Sequence, residues 1–135
     1  IEGVLCNNDS MAMGAVQACI NNGYNSGDAE KFVPIVGIDA NIDALEAMKA
    51  GSLLGTVLND RKSQSDAIIN VIKAVHAGTE ITEDVVGVNC TVDGKYVWVP
   101  YVIVDESNLS ATLRTCWQWP NPNKESGGCR WKNTD

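Results

Sequence analysis

Residues 33–60, VPIVGIDANIDALEAMKAGSLLGTVLND, read as strand, helix and strand in succession. VPIVGID is a nearly continuous apolar run of the kind a strand shows when both of its faces are covered. Asp39 closes that run. Ile42, Leu45 and Met48 then recur at helical spacing, Gly51 ends the helix, and LLGTVL forms a second buried strand that runs out at Asn59. Two strands joined by one short helical crossover are expected to lie parallel in a single sheet. The expected class is therefore α/β, a parallel sheet with flanking helices.

The same alternation extends in both directions. Upstream, Glu2 to Cys6 reads as a short strand, Asn7 to Ser10 offer cap-type side chains, and Met13, Val16 and Ile20 mark a helix stopped by Asn21-Asn22-Gly23. Residues 22–30 form a loop rich in Gly, Asn, Ser and Asp. Downstream, Ile68, Val71, Ile72 and Val75 make one apolar stripe on a longer helix from Arg61 to Ala77, with Gly78 as its stop. In GVNCTVDGKYVWVPYVIVD (87–105), Asp93-Gly94 between alternating runs predicts a hairpin. Pro100 marks an edge or a crossover between sheets. A last short helix is expected over Ser107 to Leu113. Beyond Arg114 the character changes, and TCWQWPNPNKESGGCRWKNTD holds three of the four tryptophans without a pattern that assigns a fold. The organisation expected is one unit over 1–113 and an unassigned tail over 114–135.

The length of 135 residues suits one domain or part of one. A net charge of −7 with no Lys or Arg cluster argues against a phosphate-binding surface, and with it against nucleic acid and anionic membrane as partners. No apolar run approaches the roughly 20 residues of a membrane span, and no basic and apolar leader is present. Ile1 reads as the interior of a strand, so the natural chain is expected to begin earlier. Cys6, Cys19, Cys90, Cys116 and Cys129 lack the spacing of a zinc site. Cys6 and Cys19 sit in apolar contexts, whereas Cys116 and Cys129 flank the polar tail and could pair with each other.

Three strands end alike, in a planar polar side chain: Asn8 after VLCN, Asp39 after IVGI, Asn59 after TVL. In open parallel sheets the carboxyl edge faces the ligand crevice. An amide donates and accepts and a carboxylate accepts twice, so such a set suits the vicinal hydroxyls of a neutral polyol. Helix capping accounts for each residue taken singly. Three in register at one edge weaken that alternative to even terms.

IEGVLCNNDSMAMGAV, PIVGIDANIDALEAMKAGSLLGTVLND and VPYVIVDESNL resemble consecutive stretches of the galactose/glucose-binding proteins, in the type I periplasmic sugar-binding family. The resemblance runs from Ile1 to about Leu109, with an enlarged loop near 22–31. It implies a two-lobed fold of which this chain supplies the C-terminal portion, namely pieces of both lobes, the final crossover and a hairpin. It also implies that Asn8, Asp39 and Asn59 grip sugar hydroxyls, leaving Asp9 and Ser10 as the helix cap. Glu2 matches a detached carboxylate of a structural calcium site whose other ligands lie earlier in the family's chain. By the same resemblance the protein binds D-galactose or D-glucose in the periplasm, delivers it to the membrane permease of an ABC transporter, and signals to a chemoreceptor. Grip from one lobe alone is expected to bind sugar weakly or not at all, because a hydrogen bond contributes only about 0.5–1.5 kcal/mol net.

Other readings have less to stand on. The effector-binding domain of a sugar-responsive repressor shares the fold, but Glu2 and NNDSMAMGAV favour the receptor. A small α/β enzyme using Asp39 as acid or base lacks a visible partner group. Asp39-x-Asn41-x-Asp43 opens like an EF-hand loop, yet the sixth position is Ala44 and the twelfth is Ala50. His76, the single histidine, has no nucleophile nearby and reads as a solvated helix residue.

Overall fold

The computed structural model describes residues 1–116. A Cys116–Cys129 pair and the tail tryptophans Trp117, Trp119 and Trp131 lie outside the described residues.

The chain alternates as its apolar pattern dictates: β1 (Val4–Leu5), α1 (Asp9–Asn21), β2 (Ile35–Val36), α2 (Ile42–Lys49), β3 (Thr56–Leu58) and α3 (Arg61–Ala77). Then come α4 (Glu83–Val86), β4 (Thr91–Asp93), β5 (Tyr96–Trp98), β6 (Val102–Val104) and α5 (Leu109–Cys116). Strands β1 and β2 pair in parallel, with Val4 opposite Ile35 and Leu5 opposite Val36. A parallel bridge from Val36 to Gly55 carries the pairing to the start of β3, and the Gly37 amide donates to the Gly55 carbonyl at 3.1 Å. Strand β6 then returns antiparallel on β3, Leu58 opposite Val102 and Thr56 opposite Val104. The sheet is thus parallel through its first three strands and acquires an antiparallel fourth, which the chain reaches after α3, α4 and a hairpin. That hairpin is β4–β5, closed at Asp93-Gly94 with Gly94 at φ +56°. Pro100 falls between the hairpin and β6, which is the crossover its missing amide hydrogen favours.

The core gathers where α1, α2 and α5 pack together and on β2. Ala12 and Val16 of α1, Ala44, Leu45 and Met48 of α2, Ile35 of β2 and Val104 of β6 are buried as one cluster, with Leu109 and Leu113 of α5 against it. Small residues on α1 let it approach β1 and β2 closely, those on α2 let it pack against α1 and α5, and each buried Leu or Ile contributes about 1.5–3 kcal/mol. Among the described residues, nothing covers the other side of the sheet. Leu5 is 88% exposed and Ile103 71%, and with Val36, Leu54 and Val57 they line a shallow apolar depression.

Helix α3 leaves much of its apolar stripe uncovered by the described residues. It forms over the residues its period predicts, but Ile68 and Ile72 of its apolar stripe are about three-fifths exposed and Val75 is exposed as well. The positions it buries are Ala67 and Ala74. It packs chiefly on the single turn of α4, to which Asn70 is tied by a 2.9 Å hydrogen bond from Nδ2 to the Val86 carbonyl. A four-residue partner is too short to cover a stripe that spans two turns. In urea unfolding of the chain, Leu45→Ala is expected to cost about 2–5 kcal/mol, whereas Ile68→Ala is expected to stay within about 0.5 kcal/mol; equal losses would place the α3 stripe in the core.

Candidate functional site

The turn after β2 is strained. Asp39 and Ala40 have φ of +114° and +52°, values that side-chain-bearing residues adopt at a cost of about 1–3 kcal/mol each. Their surroundings hold them there. Three successive amides are each claimed by another element: Asp39 N–H donates to the Val57 carbonyl at 2.8 Å, Ala40 N–H to Thr56 Oγ1 at 3.3 Å, and Asn41 N–H to Asp9 Oδ2 at 2.7 Å. The Thr56 hydroxyl in turn donates to Asp9 Oδ1 at 2.6 Å. Both oxygens of the fully buried Asp9 carboxylate are therefore engaged, one by β3 and one by the entrance to α2. Asp9 also donates its own amide to the Ile38 carbonyl at 2.8 Å.

Such close approach requires a glycine. A Cβ at Gly37 would stand 2.3 Å from Asp9 Oδ1 and 3.1 Å from both Ala12 Cβ and Asp9 Cα. Burial raises the Asp9 carboxyl above its usual 3.8; the Thr56 and Asn41 hydrogen bonds pull it back, and the Asp39 and Asp43 charges add to the rise.

Around this buried tie stand the three residues marked in the sequence. Asn8, Asp39 and Asn59 come after β1, β2 and β3, neighbours in the parallel run, and so share its carboxyl edge. Asn8 is the N-cap of α1, its Oδ1 accepting from the Met11 amide at 2.9 Å. This corrects the expected cap: Ser10 does not cap, and Asp9 is drawn inward by Thr56 and Asn41 instead. Asp39 caps nothing, since the N-cap position of α2 is Asn41 and carries no side-chain cap bond. Asn59 is likewise spared, because Asp60 caps α3 by accepting from the Ser63 amide at 3.0 Å and the Ser63 hydroxyl at 2.6 Å. Burial alone would raise Asp60, but the Ser63 bonds together with the Lys62 amide and charge outweigh it, and its carboxyl lies below the usual value. Asn59 Oδ1 accepts from Gln64 Nε2 at 2.6 Å, which orients the amide and turns its NH2 outward from that bond.

Among the described residues, then, the Asp39 carboxylate accepts no hydrogen bond, and neither Asn8 Nδ2 nor Asn59 Nδ2 donates one. A free carboxylate between two amides can accept from one hydroxyl while an amide NH2 beside it donates to the next. Glu2 lies at the opposite, amino-terminal end of β1 and is exposed. No group of three or more His, Cys, Asp or Glu among the described residues could hold a metal. One carboxylate does not meet the six to eight oxygens that calcium takes. Cys6 and Cys19 are half-buried free thiols beside the core, as small hydrophobes are. Thr56 and Gly37 escaped the sequence reading, although a glycine inside a strand pattern is itself a sign of close backbone approach.

Residues 1–80 match the family model described as periplasmic binding protein domain. The chain is 37% identical over 114 residues to the D-galactose/methyl-galactoside binding periplasmic protein MglB of Haemophilus influenzae, a match covering 84% of this chain and 31% of that one. It is 35% identical over 111 residues to the xylitol-binding protein of Mycolicibacterium smegmatis, covering 81% and 30%. The solved Caulobacter myo-inositol binding protein, bound to myo-inositol, superposes with a TM-score of 0.59 at 28% identity, over 86% of this chain and 34% of that one. The chain thus spans about a third of the length of these proteins.

Gly37→Ala is expected to lower stability by about 1–3 kcal/mol in urea unfolding, since neither Asp9 nor Ala12 has room to yield. The Asp9 carboxyl gives a pH signature. Its folded value lies above the unfolded one, so the stability it contributes is complete below about 3.8 and is lost as pH rises through the folded value. Unfolding midpoints of the parent and Asp9→Asn, compared across acid to neutral pH, are expected to show the parent losing ground relative to the variant as pH rises.

Proposed function

The chain belongs to the periplasmic binding protein family, a family of binding proteins and not of enzymes, and we propose that its strand edge is one wall of a cleft for a neutral polyol. The observation that carries this reading is the unbonded Asp39 carboxylate with the Asn8 and Asn59 amide groups on the neighbouring strand ends. Galactoside, xylitol and myo-inositol, the ligands named for the three relatives, differ in ring and chain but share adjacent hydroxyls without formal charge. A carboxylate repels phosphorylated sugars and acids, so the edge selects against anions before any shape is read.

Within that class the ligand proposed is D-galactose, on the strength of the relative from Haemophilus influenzae, or D-glucose, which the sequence resemblance implies. The protein would hold the sugar in the periplasm and pass it to the permease of an ABC transporter, with a chemoreceptor as a second partner. Among the described residues no helix is long and apolar enough to cross a membrane. Glu2 is proposed as one ligand of a structural calcium ion whose remaining oxygens come from outside the described residues. The role is architectural, at the end of β1 away from Asn8.

Titration calorimetry on the longest natural chain that carries these residues tests the reading, with D-galactose and D-glucose as titrants. Asp39→Asn keeps shape but removes the charged acceptor, and is expected to weaken sugar binding at least about tenfold, the equivalent of one charge-assisted hydrogen bond. Unchanged affinity in Asp39→Asn and Asn59→Ala together would overturn it.

A further inference from the structure

Asp39 carries the proposed sugar contact on a backbone that nothing local favours. Neither Asp39 nor Ala40 is glycine, and both have positive φ. The residues that hold this turn come from far along the chain: Thr56 from β3, 16 residues beyond Ala40, and Asp9 from α1, 32 residues before Asn41. Resting on the polyol reading above, we propose that Asp9 and Thr56 are positioning residues for that site, setting the backbone that presents Asp39 without touching the ligand.

The hydrogen bonds run in one direction, from Ala40 N–H to the Thr56 oxygen and from the Thr56 hydrogen to Asp9 Oδ1. Thr56 can serve both only as a hydroxyl that accepts and donates at once. It is 2% exposed and Asp9 is fully buried, so neither meets a ligand in the cleft. Asp9 also begins α1 next to the Asn8 cap, and Thr56 stands three residues before Asn59. The same pair therefore bears on the elements that carry all three proposed contacts. Loss of the Thr56 bond removes one of the three ties on the turn, and the expected response is a shift in the Asp39 and Ala40 dihedrals that displaces the Asp39 carboxylate.

Three variants test this in the longest natural chain that carries these residues, titrated with D-galactose. Thr56→Val keeps the shape and removes both hydrogen bonds; Thr56→Ser restores the hydroxyl; Leu45→Ala destabilises the core without touching the turn. The expected result is an affinity about tenfold lower in Thr56→Val, recovered in Thr56→Ser and unaltered in Leu45→Ala at temperatures where all three are folded. The three-bond amide to α-proton couplings of Asp39 and Ala40, read by NMR without ligand, are expected to change in Thr56→Val alone. Parent-like affinity and couplings in Thr56→Val, with binding still lost in Asp39→Asn, would overturn the positioning role and leave the polyol site standing. Parent-like affinity in Asp39→Asn as well would overturn both.

Discussion

One buried carboxylate holds the ends of three strands in a fixed relation. Asp9 leaves α1 and is met by Thr56 from β3 and by the amide of Asn41 at the start of α2, so a single side chain ties together the segments that continue from β1 and β2 and the strand β3 itself. A buried charge is costly unless its lone pairs are used, and here the hydrogen bonds offset much of the cost of desolvation. The rest accommodates that choice. Gly37 exists as glycine because Asp9 Oδ1 occupies the place of its side chain, and Ala12 is small because α1 lies that close to β2.

The strain in the turn at Asp39 has its origin in the same tie. With the amides of residues 39, 40 and 41 each fixed from outside, the turn cannot choose its own dihedrals. Positive φ at Asp39 and Ala40 is what remains once those three bonds are satisfied. Strain of this sort persists only when neighbours over-determine it, and it tends to occur where a side chain must be offered to a ligand.

The alternation of strand and helix was legible because apolar period and glycine stops agree with the tertiary fold in VPIVGID, in LLGTVL and around Asp93-Gly94. The shared edge was legible too, since strand ends are readable and Asn8, Asp39 and Asn59 each sit at one. Hidden from the sequence was the division of labour between adjacent polar residues. Asn8 and Asp9 are both good caps by type, and the positions of Thr56 and Asn41, 47 and 32 residues from Asp9, decide that the first caps and the second is buried. The α3 stripe shows the limit from the other side: its period gives the helix and its face correctly, but what covers a face is set by the elements nearby, and α4 is too short to do so.

The bare side of the sheet has a consequence for how the chain behaves in solution. Leu5, Leu54 and Ile103 on and beside the strands and Ile68, Ile72 and Val75 on α3 leave much hydrocarbon in contact with water, which draws copies together. A net charge of −7 acts against this by mutual repulsion. The two forces respond differently to electrolyte: added salt shortens the range of the repulsion and leaves the apolar attraction in place. For these 135 residues taken alone, dispersion at low salt and clustering at high salt are therefore the expected behaviour.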